Sequence, residues 1–215
     1  MSDKSRPKTT ITTTAPGQEG LFDGIVNPGG AALAVSSVAY IAFIPVTSYL
    51  ARTDSVQNLI KALAGVIPGF HASSAVPGAV YSSGIIPALS AVYAFWTYAG
   101  SGALSATGQA IGCEGGYNND HPRQHIGELR GFPLRLRSAH YGLVENFTPW
   151  ALAAALSQVL APGDAQIVSL LGVHVLIKLG VYYPAYLLNR SNVRSLAHLS
   201  ATAACVNVLI RLAKK

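Results

Sequence analysis

The chain has 215 residues, of which 50% are hydrophobic and only 11% are Asp, Glu, Lys or Arg, whereas an average soluble domain carries roughly 25% charged residues. Its mean hydropathy of +0.36 favours an integral membrane protein over a soluble domain. The net charge of +6 comes from scattered lysines and arginines that mostly flank apolar runs. We therefore assign them to membrane topology and lipid headgroups and exclude nucleic-acid binding. The two cysteines lie far apart without metal-site or disulfide spacing, and we predict no metal.

The first 84 residues predict a tail and one additional span. Residues 1–25 are polar, rich in Thr and interrupted by Pro and Gly, which predicts a disordered cytosolic tail. Residues 31–50 contain no charge over about the length that crosses a ~30 Å hydrocarbon core, and Pro45 predicts a kink there. Residues 67–84 are rich in Gly, Pro and Ser and predict a loop. Between them, apolar side chains at helical spacing predict a helix in the membrane interface: Val56, Leu59, Ile60 and Leu63.

The remaining residues, 85–215, predict a four-helix membrane domain, so that the fold class is an all-α membrane bundle with one extra N-terminal span. The most polar stretch of the chain follows the first of these helices and must face water, and Pro133 suits the first turn of the second. The predicted helices are residues 85–107, 133–160, 165–188 and 195–212.

Basic residues predict the orientation of this bundle. The connections 108–135 and 189–194 carry three and two arginines, whereas the turn at 161–164 has none. The positive-inside rule puts the two arginine-bearing connections in the cytosol. With five spans the N-terminus is also cytosolic, and the C-terminus lies on the opposite side although it ends in two lysines.

Charged residues enter the second helix of this domain. At 100° per residue, Arg137, Tyr141, Glu145 and Thr148 share one narrow stripe, with His140 at its edge. A charge at mid-bilayer costs roughly 2.5 to 3.5 kcal/mol, which implies a partner or a water-filled cavity. Arg137 could instead reach lipid headgroups from the helix start, but Glu145 lies two turns deeper.

A matching polar stripe occurs in the third helix. His174, Lys178, Tyr182 and Tyr186 recur every four residues within an otherwise aliphatic segment. One helix face therefore presents an imidazole, an ammonium and two phenols. We expect this stripe and the Arg137–Glu145 stripe to line a common cavity, either within one chain or between copies.

Three segments together resemble one known family. "YNNDHPR", then "LRGFPLRLRSAHYGLVENFTPWALAAAL", then "VYYPAYLLNRSNVRSLA" are similar in order and spacing to MAPEG proteins, the membrane-associated proteins in eicosanoid and glutathione metabolism. The resemblance covers residues 85–212, and its most specific piece is Arg137, Ala139, His140, Glu145 and Pro149. It implies a four-helix membrane domain that forms a homotrimer and binds glutathione between neighbouring subunits on the cytosolic side.

The resemblance also implies roles for individual residues. Arg137, His140, Glu145 and Arg194 correspond to glutathione-binding positions, where arginines can hold carboxylates and a glutamate can hold the amine. Lys178, Tyr182 or Tyr186 would favour the thiolate. The hydrophobic second substrate would enter from the lipid, in the endoplasmic reticulum or another internal membrane.

Two positions depart from the family pattern. Gly142 stands where the family usually has Asn, and Leu179 stands where it often has Arg, with Lys178 beside it. Either Lys178 replaces that cation, or the glutathione site is weakened or repurposed. The leading hypothesis is a glutathione-dependent transferase, isomerase or peroxidase for a lipophilic small molecule. The alternatives are a glutathione-independent tailoring enzyme, such as an isomerase or cyclase, and a non-catalytic membrane partner.

Overall fold

Every regular element among residues 36–215, the part of the chain that this computed structural model describes, is a helix. Residues 37–215 form one compact unit. The predicted cytosolic tail and the start of the first predicted span lie outside the described residues. The α-helices are α1 (Ser36–Ala42), α2 (Ile44–Leu50), α3 (Asp54–Ala64), α4 (Ile85–Ala94), α5 (Ser101–Gly112), α6 (Gly131–Leu160), α7 (Ala165–Ile177), α8 (Tyr183–Leu187) and α9 (Ser191–Leu212).

The first predicted span is interrupted where the proline predicts it. α1 ends at Ala42 and α2 begins at Ile44, with Pro45 in its first turn. Because Pro45 has no N–H, the carbonyl of Ile41, one turn earlier, lacks its usual helical donor. The predicted interfacial helix is α3, whose Ile60 is fully buried. A Cβ at Gly172 of α7 would lie 2.5 Å from Ile60, so the glycine is what allows α3 to approach α7 this closely.

Polar contacts attach this N-terminal segment to the rest of the bundle. Asn207 of α9 donates from Nδ2 to the Ser48 hydroxyl at 2.7 Å. Gln166 at the start of α7 donates to the Ser48 carbonyl at 3.1 Å and accepts from Arg52 Nε at 3.1 Å. The segment is therefore joined to both α7 and α9.

Close backbone approach joins α5 to α6. α4 and α5 form one continuous rod with a π-helical segment, Phe95–Gly100, between them. A Cβ at Gly112 would lie 2.6 Å from Pro133, and one at Gly108 would lie 3.0 Å from the Pro133 carbonyl oxygen. These glycines allow the start of α6 to pack directly on α5.

A second π-helical segment, Lys178–Tyr182, separates α7 from α8. Pro184 follows it and has no N–H for the carbonyl one turn earlier, a common cause of such irregular turns. α8 ends at Leu187, and Asn189 adopts a positive φ of 56°, which Asn tolerates at a helix end. The last helix then begins at Ser191, earlier than the predicted residue 195, so Arg194 lies in its first turn.

Two helical stretches, Ala165–Leu187 and Ser191–Leu212, are long and apolar enough to cross a membrane by length and composition. α6 has 30 residues and, at about 1.5 Å per residue, is longer than a ~30 Å hydrocarbon core. Large apolar side chains such as Phe95, Leu152 and Val159 are exposed on the outside of the bundle. Exposed apolar surface of this kind suits contact with lipid. The number of spans remains a prediction.

An ion pair fixes the end of the bundle at which the C-terminus lies. Asp164, in the turn between α6 and α7, caps α7 by accepting from the backbone N–H groups of Gln166 and Ile167. Its carboxylate also contacts Lys215 Nζ at 2.8 Å. The C-terminus therefore lies at the same end as the α6–α7 turn, and which side of the membrane that end faces remains a prediction.

Candidate functional site

The seven predicted site residues lie in two groups on different sides of α6. Arg137 and His140 face α5 and the polar connection that precedes α6. The other five gather where α6, α8 and α9 meet: Glu145, Lys178, Tyr182, Tyr186 and Arg194.

The first group lines a cavity of about 350 Å³, which we call the Arg137 pocket. Its walls come from α5, α6 and the connection between them, and the described residues lining it include no carboxylate. The lining residues are Tyr98, Gly102, Ser105, Ala106, Gln109, Tyr117, Pro122, Arg123, Arg137, His140, Tyr141 and Val144.

The Arg137 guanidinium is held by neutral groups. It donates to the hydroxyls of Tyr141 and, at 3.4 Å, of Ser105, and its Cζ lies 4.2 Å from the centre of the Tyr141 ring. With its amide oxygen turned toward Arg137, Gln109 accepts from Nη1 at 3.0 Å. Arg137 Nε is buried and has no hydrogen-bond partner among the described residues. The pocket therefore contains a cation without a countercharge, which favours an anionic ligand.

His140 is oriented by the π-helical segment beside it. Ser101 Oγ donates to the Thr97 carbonyl at 2.7 Å and lies 2.9 Å from His140 Nδ1. Since the single Ser101 hydrogen is directed to the carbonyl, His140 Nδ1 must donate to Ser101 Oγ. Its Nε2 then carries a lone pair, and the ring lines the Arg137 pocket.

The second group is organised by Tyr182. Its side chain is 5% exposed, and its hydroxyl reaches the backbone of α6 at Gly142. A Cβ at position 142 would lie 3.0 Å from Tyr182 Cζ and closer still to the hydroxyl. The departure from the family pattern at Gly142 therefore has a physical cause: Tyr182 fills the space that an Asn side chain would need.

Lys178 is fully buried, so it cannot touch a ligand at the surface of the chain. Its Nζ lies 3.2 Å from His198 Nδ1 and 4.1 Å from the centre of the Tyr182 ring. Glu145 acts electrostatically on both Lys178 and Tyr182. Lys178 can therefore influence a ligand only through the residues that it contacts, Tyr182 and His198.

Three residues of this group reach the surface. Glu145 is exposed, and Tyr186 and Arg194 are half-buried. The Arg194 guanidinium carbon lies 4.5 Å from the centre of the Tyr186 ring, a cation–π arrangement. Arg135 Nε donates to the Leu187 carbonyl at 2.9 Å and so holds α6 against the end of α8. A ligand approaching α6 from this side would meet a carboxylate, a phenol and a guanidinium.

Comparison with known proteins gives one decisive match. The profile of the MAPEG family matches residues 86–214, more than half of the chain. The chain belongs to the MAPEG family. No curated protein and no solved structure matches it.

The MAPEG-matched region contains both groups of site residues but not the N-terminal segment. Within the described chain, the two predicted stripes meet only in part: Glu145 lies near Lys178 and Tyr182, whereas Arg137 faces the Arg137 pocket. The other residues of the first stripe, Tyr141 and Thr148, are exposed, as is Glu145. A shared cavity between copies of this MAPEG protein stays a prediction.

Sequence reasoning missed several residues of these two groups. Arg123, Gln109 and Tyr117 complete the Arg137 pocket but lie in or beside the polar connection, where periodicity carries no signal. His198 lies four residues after Arg194, and this spacing on one helix was a signal that could have found it. Among residues 36–215, no group of three or more His, Cys, Asp or Glu side chains is placed to hold a metal ion.

Proposed function

We propose that this MAPEG protein is a membrane enzyme that uses glutathione to act on a lipophilic small molecule, as a transferase, isomerase or peroxidase. Glutathione carries two carboxylates, an amine and a thiol. When bound, it supplies a sulfur nucleophile. The family match supports a glutathione-related membrane function, and the residues described above support a site for such a ligand.

The lining of the Arg137 pocket is the main support for this proposal. The Arg137 pocket combines a guanidinium whose Nε is buried without a partner, a second arginine at Arg123, and a lining without a carboxylate among the described residues. A carboxylate of glutathione would give Arg137 Nε its missing acceptor and form a charge-assisted hydrogen bond. The volume of about 350 Å³ lies within the range of roughly 300 to 1,000 Å³ for small-ligand sites.

The exposed face of α6 supports a site shared between copies. Glu145 is exposed halfway along a helix long enough to span the membrane, where facing lipid would cost roughly 2.5 to 3.5 kcal/mol. A second copy of the chain would cover this face and remove that cost. We therefore propose a homotrimer in which Glu145 holds the glutathione amine while Tyr186 and Arg194 lie at the same interface.

The thiol would be placed among the groups that favour its ionised form. Arg194 stacks on Tyr186, and a phenol polarised by a cation is a stronger hydrogen-bond donor to sulfur. Tyr182, which is buried below Tyr186 and Arg194, would also favour the thiolate, and Lys178 would hold the Tyr182 ring in place. His140 Nε2 presents a lone pair in the Arg137 pocket and can accept a proton there.

The cellular setting and domain limits are part of the same proposal. We place the protein in the endoplasmic reticulum or another internal membrane, with its site facing the cytosol. Residues 1–25 would be a cytosolic tail, residues 26–84 an added span with its surface helix and loop, and residues 85–215 the enzyme domain in contact with lipid. Five spans would then cross the membrane.

Turnover of an electrophilic aryl halide by purified protein in detergent tests the proposal. We expect product only when glutathione is added and expect Glu145→Gln to abolish most of it, because glutamine keeps the shape but cannot pair with the amine. Glu114→Gln is the matched control, since Glu114 is exposed in the polar connection. Equal turnover by the parent and Glu145→Gln would exclude the proposed role of Glu145.

A second candidate function rests on the Gly142–Tyr182 contact. Tyr182 occupies the space of the amide that the resemblance predicts at position 142, which favours a glutathione-independent tailoring enzyme, such as an isomerase or cyclase, on the same scaffold. Conversion of a hydrophobic substrate in the complete absence of glutathione would favour this candidate. No conversion of any kind would favour a non-catalytic membrane partner.

A further inference from the structure

A residue from outside the MAPEG-matched region reaches the second group of site residues. Tyr40 lies on α1, in the N-terminal segment that precedes residues 86–214. Its hydroxyl lies 3.1 Å from His198 Nε2, and His198 Nδ1 lies 3.2 Å from Lys178 Nζ. A hydrogen-bonded chain therefore runs from α1 through α9 to the buried Lys178.

The direction of these hydrogen bonds follows from the donors available. In its ammonium form over the Tyr182 ring, Lys178 can only donate, and that form requires His198 Nδ1 to accept. In a neutral His198 the hydrogen then lies on Nε2 and is donated to the Tyr40 hydroxyl oxygen. Tyr40 thus provides an acceptor for the Nε2 hydrogen of His198 and stabilises the tautomer whose Nδ1 can accept from Lys178.

His174 provides an internal comparison one helical turn before Lys178. Its Nδ1 lies 2.8 Å from the Ala201 carbonyl oxygen, which can only accept, so the His174 hydrogen lies on Nδ1. Its Nε2 lies 3.3 Å from the Tyr93 hydroxyl. The buried His174 and the partly buried His198 therefore carry opposite tautomers in this arrangement, which nitrogen NMR can distinguish.

We propose that Tyr40 is a positioning residue for the enzyme site: it fixes His198, which fixes Lys178 over the Tyr182 ring. The proposal rests on the proposed function in so far as Tyr182 serves the reaction. Without the His198 acceptor, the Lys178 ammonium would lose a buried hydrogen bond and would reorient. Tyr182 would then lose the cation against its ring, while its hydroxyl would no longer be held at Gly142.

Through Tyr40, the N-terminal segment takes part in the site. Tyr40 is only half-buried, so loss of its hydroxyl removes little packing. The edge-on contact of its ring with His198, with centres 6.0 Å apart, is kept in a phenylalanine. Tyr40→Phe therefore removes the hydrogen bond alone.

The test compares the parent with Tyr40→Phe by nitrogen NMR of histidine-labelled protein without ligand, with His198 assigned from its absence in His198→Gln. We expect the His198 Nε2 signal to move and the His174 signals to stay. Tyr49→Phe is the matched control, because Tyr49 is 70% exposed on α2, and its spectrum should equal that of the parent. An unchanged His198 signal in Tyr40→Phe would overturn the proposal.

Kinetics on the same variants separate positioning from mere packing. We expect Tyr40→Phe to lower kcat about fivefold, which is about 1 kcal/mol, with glutathione affinity unchanged within about twofold. A shifted His198 signal with unchanged kcat would overturn the positioning role. A parent that does not use glutathione would refute the proposed function alone, because the spectrum still decides whether Tyr40 fixes His198.

Discussion

The hydroxyl of Tyr182 lies against the backbone of α6 in the space that a side chain at Gly142 would occupy. Tyr182 belongs to the π-helical segment after α7, and Gly142 lies on α6 within the MAPEG-matched region. A side chain at position 142 and the present position of Tyr182 therefore exclude each other. A residue larger than glycine fits at position 142 only if Tyr182 moves.

Adding a methyl group at this contact should destabilise the protein. We expect Gly142→Ala to lower the free energy of unfolding by about 1–3 kcal/mol, the usual cost of overpacking, and to displace Tyr182. Thermal unfolding in detergent measures the change. The double variant Gly142→Ala, Tyr182→Phe should recover part of the loss, because it removes the atom in closest contact.

Gly180→Ala is the control for that experiment. A Cβ at Gly180 meets no atom of the described chain within 4 Å, although it lies in the same π-helical segment as Tyr182. We expect its stability to equal that of the parent or to exceed it slightly, since alanine suits a helix better than glycine. Equal losses at both glycines would contradict the Gly142–Tyr182 contact.

The N-terminal segment should depend on Asn207. The Asn207 side chain is 3% exposed, donates to Ser48 and accepts from Arg211 Nε at 3.1 Å. Asn207→Ala should therefore lower the free energy of unfolding by about 1–2 kcal/mol, because buried polar partners are left unpaired. Asn192→Ala, at an exposed position near the start of the same helix, should change stability by less than about 0.5 kcal/mol. A neutral Asn207→Ala would mean that the Asn207 hydrogen bonds do not hold the segment in place.

The Asp164–Lys215 pair predicts a pH dependence of stability at one end of the bundle. Partial burial raises the pKa of Asp164, but hydrogen bonds from Lys215 and from the Ile167 and Gln166 N–H groups outweigh it, so the pKa lies below its ordinary value of 3.8. Because the pKa of Asp164 is lower in the folded state than in the unfolded state, the ionised carboxylate stabilises the fold. This contribution is fully present above pH 3.8 and is lost as the pH falls through the folded-state pKa.

Asp164→Asn isolates this contribution, because an asparagine oxygen can still cap α7. At neutral pH the parent should be more stable than the variant by no more than about 1 kcal/mol, since the Lys215 side chain is 43% exposed. The difference should vanish below the folded-state pKa. Asp164→Ala should cost about 1 kcal/mol more through the lost cap. A parent–Asn difference that persists in acid would contradict the ion pair.

The helices of the described chain were largely predictable from the sequence. Apolar runs predicted helices at 85–107, 133–160, 165–188 and 195–212, and the structure has helical stretches at 85–112, 131–160, 165–187 and 191–212, so the bounds differ by five residues at most. Pro45 marked the interruption between α1 and α2. The start of α9 was missed, because polar residues in its first turn resemble a loop.

The partners of the site residues were much less predictable. Helical periodicity put His174, Lys178 and Tyr182 on one face, but the π-helical segment widens the turn. His174, which precedes this segment, and Lys178 both face α9, where they contact Ala201 and His198, whereas Tyr182 contacts Gly142 on α6.

Arg137 and Glu145 share a stripe as predicted, yet α6 lies between α5 and α8, so the two residues meet different neighbours. Contacts across long sequence separations depend on packing that one sequence does not reveal.

Titration of purified protein with glutathione, followed by calorimetry, tests the central claim most directly. We predict saturable binding to the parent, a loss of at least about tenfold in affinity for Arg137→Ala, and parental affinity for Arg190→Ala, whose arginine is exposed at the start of α9. A tenfold loss corresponds to about 1.4 kcal/mol, a modest value for a charge-assisted hydrogen bond. Equal binding by the parent and Arg137→Ala, or no binding to the parent, would contradict the proposal that the Arg137 pocket holds glutathione.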